Sequence, residues 1–440
     1  MPETEYLEQN KMQKKLHFIF SLTVNKLSFN DIMIKRRQYM KKNILIIGIA
    51  ILLVISFFIG YKFYKYYQVK NEKKVVELKT DEIEVFTDVN LKDLIKNING
   101  KLIENKKIDT TKIGKKDIDF EYITNNNITV PYSITITIVD KTPPIIYQPS
   151  KYTVTLGSKK TDLEKSFFCG DNYDNNPKCE LKGNYNLNEI GEYKVTFQGT
   201  DSSNNKTEHT FLLKVEEPSK KNSNDYTNKS KITKFEDIIK KYKTDHTKIG
   251  IDISHWQGDI NFEKVKKSGV EFVYIRVGRG NGIEQDFVLD DKFDQNIKGF
   301  NKVGIPVGVY FYSNANSNKM AKKEAKWLLS KIKKYKVDLE VVYDWENWDE
   351  YQEFNLSFYN LTETYKSFQK TVEQEGYKSM LYSSKNYLEN IWYPVNSNIW
   401  LAHYTEQTNY EGKYNVWQIC NNGRVEGIED NEVDIDILYK

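Results

Sequence analysis

Cysteine is scarce in this chain. Three cysteines among 440 residues are too few for a disulfide framework to replace a hydrophobic core. Histidine is nearly as thin, at five, and no His or Cys spacing matches a zinc site. Charge of either sign is barely in excess: 65 Lys and Arg against 61 Asp and Glu leave a formal +4. That is too weak a basic surface to argue for nucleic acid. No phosphate-binding P-loop, Gly-rich dinucleotide fingerprint or Gly-x-Ser-x-Gly elbow occurs. Cofactor, metal and nucleic acid are therefore not expected, nor is a serine nucleophile of the elbow type. The length predicts about three domains.

One apolar run stands apart. From Asn43 to Tyr61, "NILIIGIAILLVISFFIGY", no charged residue occurs. At about 1.5 Å per residue this matches the roughly 30 Å core of a bilayer. No small-x-small cleavage signal follows it, so an uncleaved anchor is expected rather than a signal peptide. Lys35, Arg36, Arg37, Lys41 and Lys42 precede the run, and Lys62, Lys65, Lys70, Lys73 and Lys74 follow it. The positive-inside signal is thus nearly balanced. The expected arrangement is a basic cytoplasmic tail (1–42), a single membrane-spanning helix (43–61) and an extracytoplasmic remainder held at the cell membrane.

Beyond the anchor the chain reads as all-β to about residue 216. "YSITITIV" (132–139), "KYTVTL" (151–156) and "EYKVTF" (192–197) alternate at period two. "IDTTKIGKKDIDFEY" (108–122) parallels "YNLNEIGEYKVTFQG" (185–199), an internal repeat built on an Ile-Gly turn and a strand. Two β-sandwich modules are expected, at 75–142 and 143–216, meeting at Asp140-Lys-Thr-Pro-Pro144. They resemble tandem bacterial immunoglobulin-like domains of surface proteins. Cys169 and Cys179 bracket "CGDNYDNNPKC" and are candidates for a disulfide. Asp171 and Asp174 in that loop raise the question of calcium, but a turn rich in Asn and Asp is the default reading. Residues 217–247 read as a polar linker ending in a short amphipathic helix, Ile232–Lys243.

From residue 248 to 440 the texture changes. Strand-like runs at 248–254, 270–277, 305–312, 339–346, 379–384, 398–404, 414–419 and 433–439 alternate at first with helical patterns at 261–268, 290–302, 318–335 and 357–375. Alternating β and α argues for a parallel sheet, and eight strands close naturally into a barrel. The whole is a multidomain chain: a transmembrane helix, two all-β immunoglobulin-like sandwiches and a C-terminal α/β domain, a trimmed (β/α) barrel.

Functional groups of such barrels gather at the C-terminal strand ends. Asp252 and Ser254 end the first strand. Asp344 and Glu346 end the fourth, and their i, i+2 spacing points them to one side. Asp434 opens the eighth strand, next to the first. Carboxylates crowded together raise one another's pKa, which is what a general acid requires. All seven tryptophans lie in this domain, and aromatic faces beside carboxylates suit the C–H faces of sugar rings.

"DISHWQG" (252–258), "DWE" (344–346), "WLAHY" (400–404) and "VWQICNNGRVEGIEDNEVDID" (416–436), in this order and spacing, resemble the motifs of glycoside hydrolase family 25 lysozymes over about residues 248–440. The resemblance implies cleavage of the β-1,4 bond between N-acetylmuramic acid and N-acetylglucosamine in peptidoglycan. It implies Glu346 as general acid, with Asp344, Asp252 and Asp434 as its acidic partners. Ser254, Gln257, Tyr312, Trp345, Trp400, Tyr404, Trp417 and Gln418 are the implied sugar-binding positions. The second half of the reaction is left open between attack by an aspartate and attack by the substrate's own N-acetyl group. Expected partners are glycan strands, the membrane through 43–61, and other cell-envelope proteins. The rival readings are an anchored glycan-binding protein without hydrolysis and an adhesin whose sandwiches do the work. The sandwiches are otherwise expected to set reach into the wall.

Overall fold

The computed structural model describes residues 3–147, 150–218, 232–428 and 432–440. Most of the expected linker falls outside the described residues. The chain divides into two units, Met1–Ile83 with Thr87–Ile138, and Glu84–Phe86 with Val139–Lys440.

In the first unit one helix runs from Glu3 to Asn71, so the apolar run sits inside a longer helix than expected. Its stretch Asp31–Asn71 is long and apolar enough to cross a membrane, by length and composition. After it comes a hairpin of Gly114–Thr124 and Thr129–Val139, extended by Gly100–Leu102 and Glu82–Glu84 into a four-stranded sheet. Alternation along the hairpin buries Ile118, Phe120, Tyr122, Ile134 and Ile136, as period two requires.

The second unit begins with another four-stranded sheet, in the order Lys178–Lys182, Gly191–Thr200, Lys206–Glu216, Lys151–Thr155. The last pair is parallel. A two-stranded ladder, Ile145–Tyr147 with Phe168–Gly170, shares its core with Phe167, Val195, Phe197, Phe211 and Leu213. A disulfide joins Cys169 to Cys179.

The barrel follows. Its strands are β1 (Thr247–Ile253), β2 (Val273–Gly280), β3 (Val307–Tyr312), β4 (Val341–Asp344), β5 (Ser379–Ser384), β6 (Asn398–Ala402), β7 (Val416–Arg424) and β8 (Val433–Tyr439). Neighbours pair in sequence order and β8 closes the ring against both β7 and β1. The first seven are parallel, but β8 is antiparallel to both neighbours. This corrects the all-parallel expectation. The connection from β7 to β8 spans only residues 425–432, and a crossover of a dozen or more residues is needed to return a strand in parallel.

Helices α1 (Phe262–Lys267), α2 (Phe293–Val303), α3 (Asn318–Ile332) and α4 (Phe358–Gln374) cover the outside. Asn261, Ser317 and Ser357 cap three of them by accepting from backbone N–H groups. Gly304, at φ 75°, ends α2 in the left-handed conformation. Ile251, Ile253, Val341, Tyr343, Leu401, Trp417 and Ile435 face these helices in one large core. Tyr274, Val342, Tyr382, Trp400 and Val416 form a separate cluster, and strand parity turns them to the opposite side, the barrel interior.

The second sandwich does not hang on a tether. Phe168 is buried within the barrel's own core, its ring 5.2 Å from Tyr351 and 6.2 Å from Phe358 in a stacked arrangement. The N–H of Phe358 donates to Asp171 O at 2.8 Å. Asn175 Oδ1 accepts from Ser357 N and Asn360 Nδ2, both at 2.8 Å. Lys165 pairs with Glu353 at 2.6 Å. A Cβ on Gly170 would meet ring atoms of Phe358 and Tyr351 at 2.5 and 2.8 Å, so only glycine fits.

Candidate active site

Strand parity builds the site. Ile251 and Ile253 turn outward to the helices, which leaves Asp252 on the interior face of β1. The antiparallel β8 places Asp434 directly opposite Asp252. Had β8 run parallel, its first residues would lie at the far end of the barrel. Asp434 reaches the mouth because the strand is reversed. On β4, Asp344 pairs in register with Tyr312 of β3 and Tyr382 of β5, and Glu346 follows two residues on.

Asp252 and Asp344 are buried, and Glu346 is exposed. Gln418 Nε2 donates to Asp252 Oδ2 at 2.8 Å. The hydroxyls of Tyr382 and Tyr404 each donate to Gln418 Oε1 at 2.9 Å. Four side chains from β1, β5, β7 and the segment after β6 thus form one network.

Sequence reading missed Asp436, which is fully buried and accepts from Trp400 Nε1 at 2.9 Å. Its signal was present: Asp434 and Asp436 share the i, i+2 spacing that was recognised in Asp344 and Glu346. Arg276 was also missed. It is buried, held by Asp290 at 2.8 Å, and its charge lowers the pKa of Asp344 against larger raising effects.

The electrostatics follow from five carboxyl groups in a confined space. Burial first, then the charges of Asp434 and Asp436, hold Asp252 well above the usual carboxylate range. Burial and then Glu346 do the same for Asp344. Burial also raises Glu346, opposed by its hydrogen bond with Asp344. Asp434 is pushed up to about 7, by burial and then by Glu346. Such a cluster retains protons at neutral pH, and the exposed member is the one that can hand a proton to a bound molecule.

Several of the expected sugar-binding residues are engaged within the fold. Trp345 is fully buried, and its indole N–H donates to Ala315 O at 3.3 Å. Trp417 faces the helices and donates to His403 O at 2.8 Å. Trp400 lies inside the barrel between Tyr274 and Tyr382. Ser254 and Gln257 close a reciprocal cap on the turn after β1, and Gln257 Nε2 donates to Glu432 O at 2.9 Å. In these five residues side-chain polar atoms already have partners within the fold. Tyr312 is half-buried and Tyr404 is 52% exposed. Trp256, at 69%, is the one exposed tryptophan among the described residues, and it was not singled out.

Comparison with known proteins assigns residues 251–428 to the glycosyl hydrolases family 25 model. The chain is 38% identical over 69 residues to lysozyme M1 of Streptomyces globisporus, which is 16% of this chain and 22% of the relative. It is 28% identical over 190 residues to the autolytic lysozyme of Clostridium acetobutylicum, 42% of this chain and 54% of the relative. The structure of the modular autolysin LytC from Streptococcus pneumoniae with a synthetic peptidoglycan ligand shares 29% identity, covering 45% of this chain and 48% of that one, at a TM-score of 0.39.

Proposed function

Residues 251–428 form a family 25 glycosyl hydrolase domain, and from that premise we propose that the protein is a lysozyme that cuts the glycan strands of peptidoglycan. The observation that carries this reading is the convergence of Asp252, Asp344, Glu346, Asp434 and Asp436 on one mouth, with Glu346 exposed, Asp434 half-buried and the other three buried. A glycan-binding protein has no use for so many buried acids, since each costs desolvation free energy. Digestion of purified peptidoglycan by the full-length chain tests the proposal. New reducing ends at N-acetylmuramic acid support it, and unchanged glycan overturns it.

Hydrolysis of a glycoside needs one carboxyl to protonate the leaving oxygen and one group to meet the developing oxocarbenium charge. Glu346 is the acid in this proposal. Asp344 has one carboxyl oxygen, Oδ1, buried without a partner, which suits it to accept the N–H of the substrate's N-acetyl group while that group attacks the anomeric carbon. Asp252 is held in place beside the acid by Gln418. Trp256 and Tyr404 supply the stacking faces first attributed to buried tryptophans.

The acid must be protonated to act. Its raised pKa therefore predicts a kcat/KM that stays high from weakly acidic pH upward and falls as pH rises through that pKa. A flat profile from pH 4 to 9 would remove a titrating acid from the mechanism.

The N-terminal helix supports single-pass anchoring, with the enzyme acting outside the membrane on nearby wall. Protease added to wall-stripped cells should then release the barrel and leave a short membrane fragment. Full-length protein found only in the culture medium would exclude anchoring.

A further inference from the structure

A second polar cluster lies away from the barrel mouth. Asp140, Asp171 and Asp201 are all buried, and each brings a carboxyl oxygen within 4.8 Å of the other two. They come from distant points of the chain: the Asp-Lys-Thr-Pro-Pro joint, the disulfide-closed loop and the turn before the Lys206–Glu216 strand. The calcium question first attached to Asp171 and Asp174. In the structure Asp174 instead binds backbone N–H groups of Asn176 and Ser202, at 2.9 and 2.8 Å, and it stands outside this cluster.

Among the described residues, the hydrogen bonds these three carboxyls accept come from neutral groups. Asp140 accepts from Thr142 N and Ser203 Oγ, both at 3.3 Å. Asp201 accepts from Asn205 N and Asn205 Nδ2, both at 2.8 Å. Asp171 Oδ1 accepts from Tyr173 N at 2.9 Å and Asp174 N at 2.6 Å. Two oxygens beside these contacts have no partner of their own. Asp171 Oδ2 is buried with no partner, and so is Asn172 Oδ1. Asn172 is itself only 8% exposed, and its side chain engages the Asp140 carboxyl, which sets the amide beside the cluster. Three buried acids without a counter-charge repel one another, and two orphaned buried oxygens add desolvation cost.

We propose that Asp140, Asp171 and Asp201, with the Asn172 amide oxygen, bind one calcium ion. Calcium takes six to eight oxygen ligands at about 2.3–2.6 Å, so one ion can touch oxygens separated by up to twice that distance. The donors are all hard oxygens, and the loop's thiols are tied up in the disulfide, which disfavours zinc. Magnesium holds its waters, for which a buried cluster with this spacing is poorly suited. The ion would neutralise the three acids and satisfy both orphaned oxygens. It would also stiffen the loop whose carbonyls, Asp171 O and Asn172 O, accept from Phe358 N and Tyr359 N of the barrel.

Full-length protein purified in detergent and stripped with a chelator provides the test. Calorimetric titration with calcium chloride should give one site per chain. Calcium at about one hundred times its Kd should raise the melting temperature of the second unit by about 5 °C or more. Asp171→Asn and Asp201→Asn should abolish both the heat and the shift, yet in chelator Asp171→Asn should melt no lower than the wild type, because it removes a buried charge at an oxygen that no donor contacts. That last comparison separates lost binding from lost folding. Absence of heat and shift in the wild type would overturn the site, as would an undiminished shift in both variants. An equal shift with magnesium would overturn the choice of calcium.

Discussion

Replacing Glu346 with glutamine is expected to lower peptidoglycan hydrolysis by about two to four decades, the usual contribution of a positioned general acid. Glutamine keeps the size and the hydrogen-bonding reach of the side chain but has no proton to give at useful acidity. Glu346 is exposed at the mouth and lies outside the cores, so the substitution should leave folding untouched. Circular dichroism and the melting temperature should match the wild type, and binding to insoluble wall should persist. Turnover of defined glycan fragments is the measurement. Activity within a few-fold of wild type would take Glu346 out of the acid's role. The same experiment on Asp434, whose carboxyl is pushed up to about 7, would identify the alternative donor.

Shortening Phe168 to alanine is expected to cost about 3–5 kcal/mol of stability, the range for emptying a buried phenylalanine site. This follows from where the ring sits: in a sandwich strand by sequence, yet inside the barrel's core by packing. The cavity would open beside Trp348, Tyr351 and Phe358. Trp348 in turn packs on Trp345 at 4.9 Å, and its N–H donates to Glu346 O at 2.9 Å. Loosening it should therefore let the acid wander. Misplacement of a catalytic group by about 1 Å can cost on the order of a hundredfold, so kcat should fall more than KM rises. Chemical denaturation and steady-state kinetics on the same preparation test both halves. A variant as stable and as fast as the wild type would show that the joint is superficial, and the sandwiches would revert to spacers.

The barrel was largely legible because its signals are local. Helices expected at 261–268, 290–302, 318–335 and 357–375 appear as Phe262–Lys267, Phe293–Val303, Asn318–Ile332 and Phe358–Gln374, since each carries an apolar face and three carry a side-chain cap. Asp252 was legible for the same reason: period-two alternation with two isoleucines leaves it the opposite face. The surroundings of the tryptophans were not legible, because residue type does not reveal which atoms are already satisfied. An indole N–H that finds a carbonyl, as in Trp345 and Trp417, is part of the scaffold.

What the sequence determined by itself was therefore whatever a few neighbouring residues decide: strand faces, helix caps, the apolar N-terminal run and the pairing of Asp344 with Glu346. Tertiary structure alone decided the rest. It reversed β8 and so brought Asp434 and Asp436 to the acids of β1 and β4. It drove Phe168 of the sandwich into the barrel, and it gathered Asp140, Asp171 and Asp201 from separate segments. Each of these joins residues far apart in the chain. Their proximity is set by the mutual burial of apolar faces, which acts through space and leaves no period or motif along the sequence.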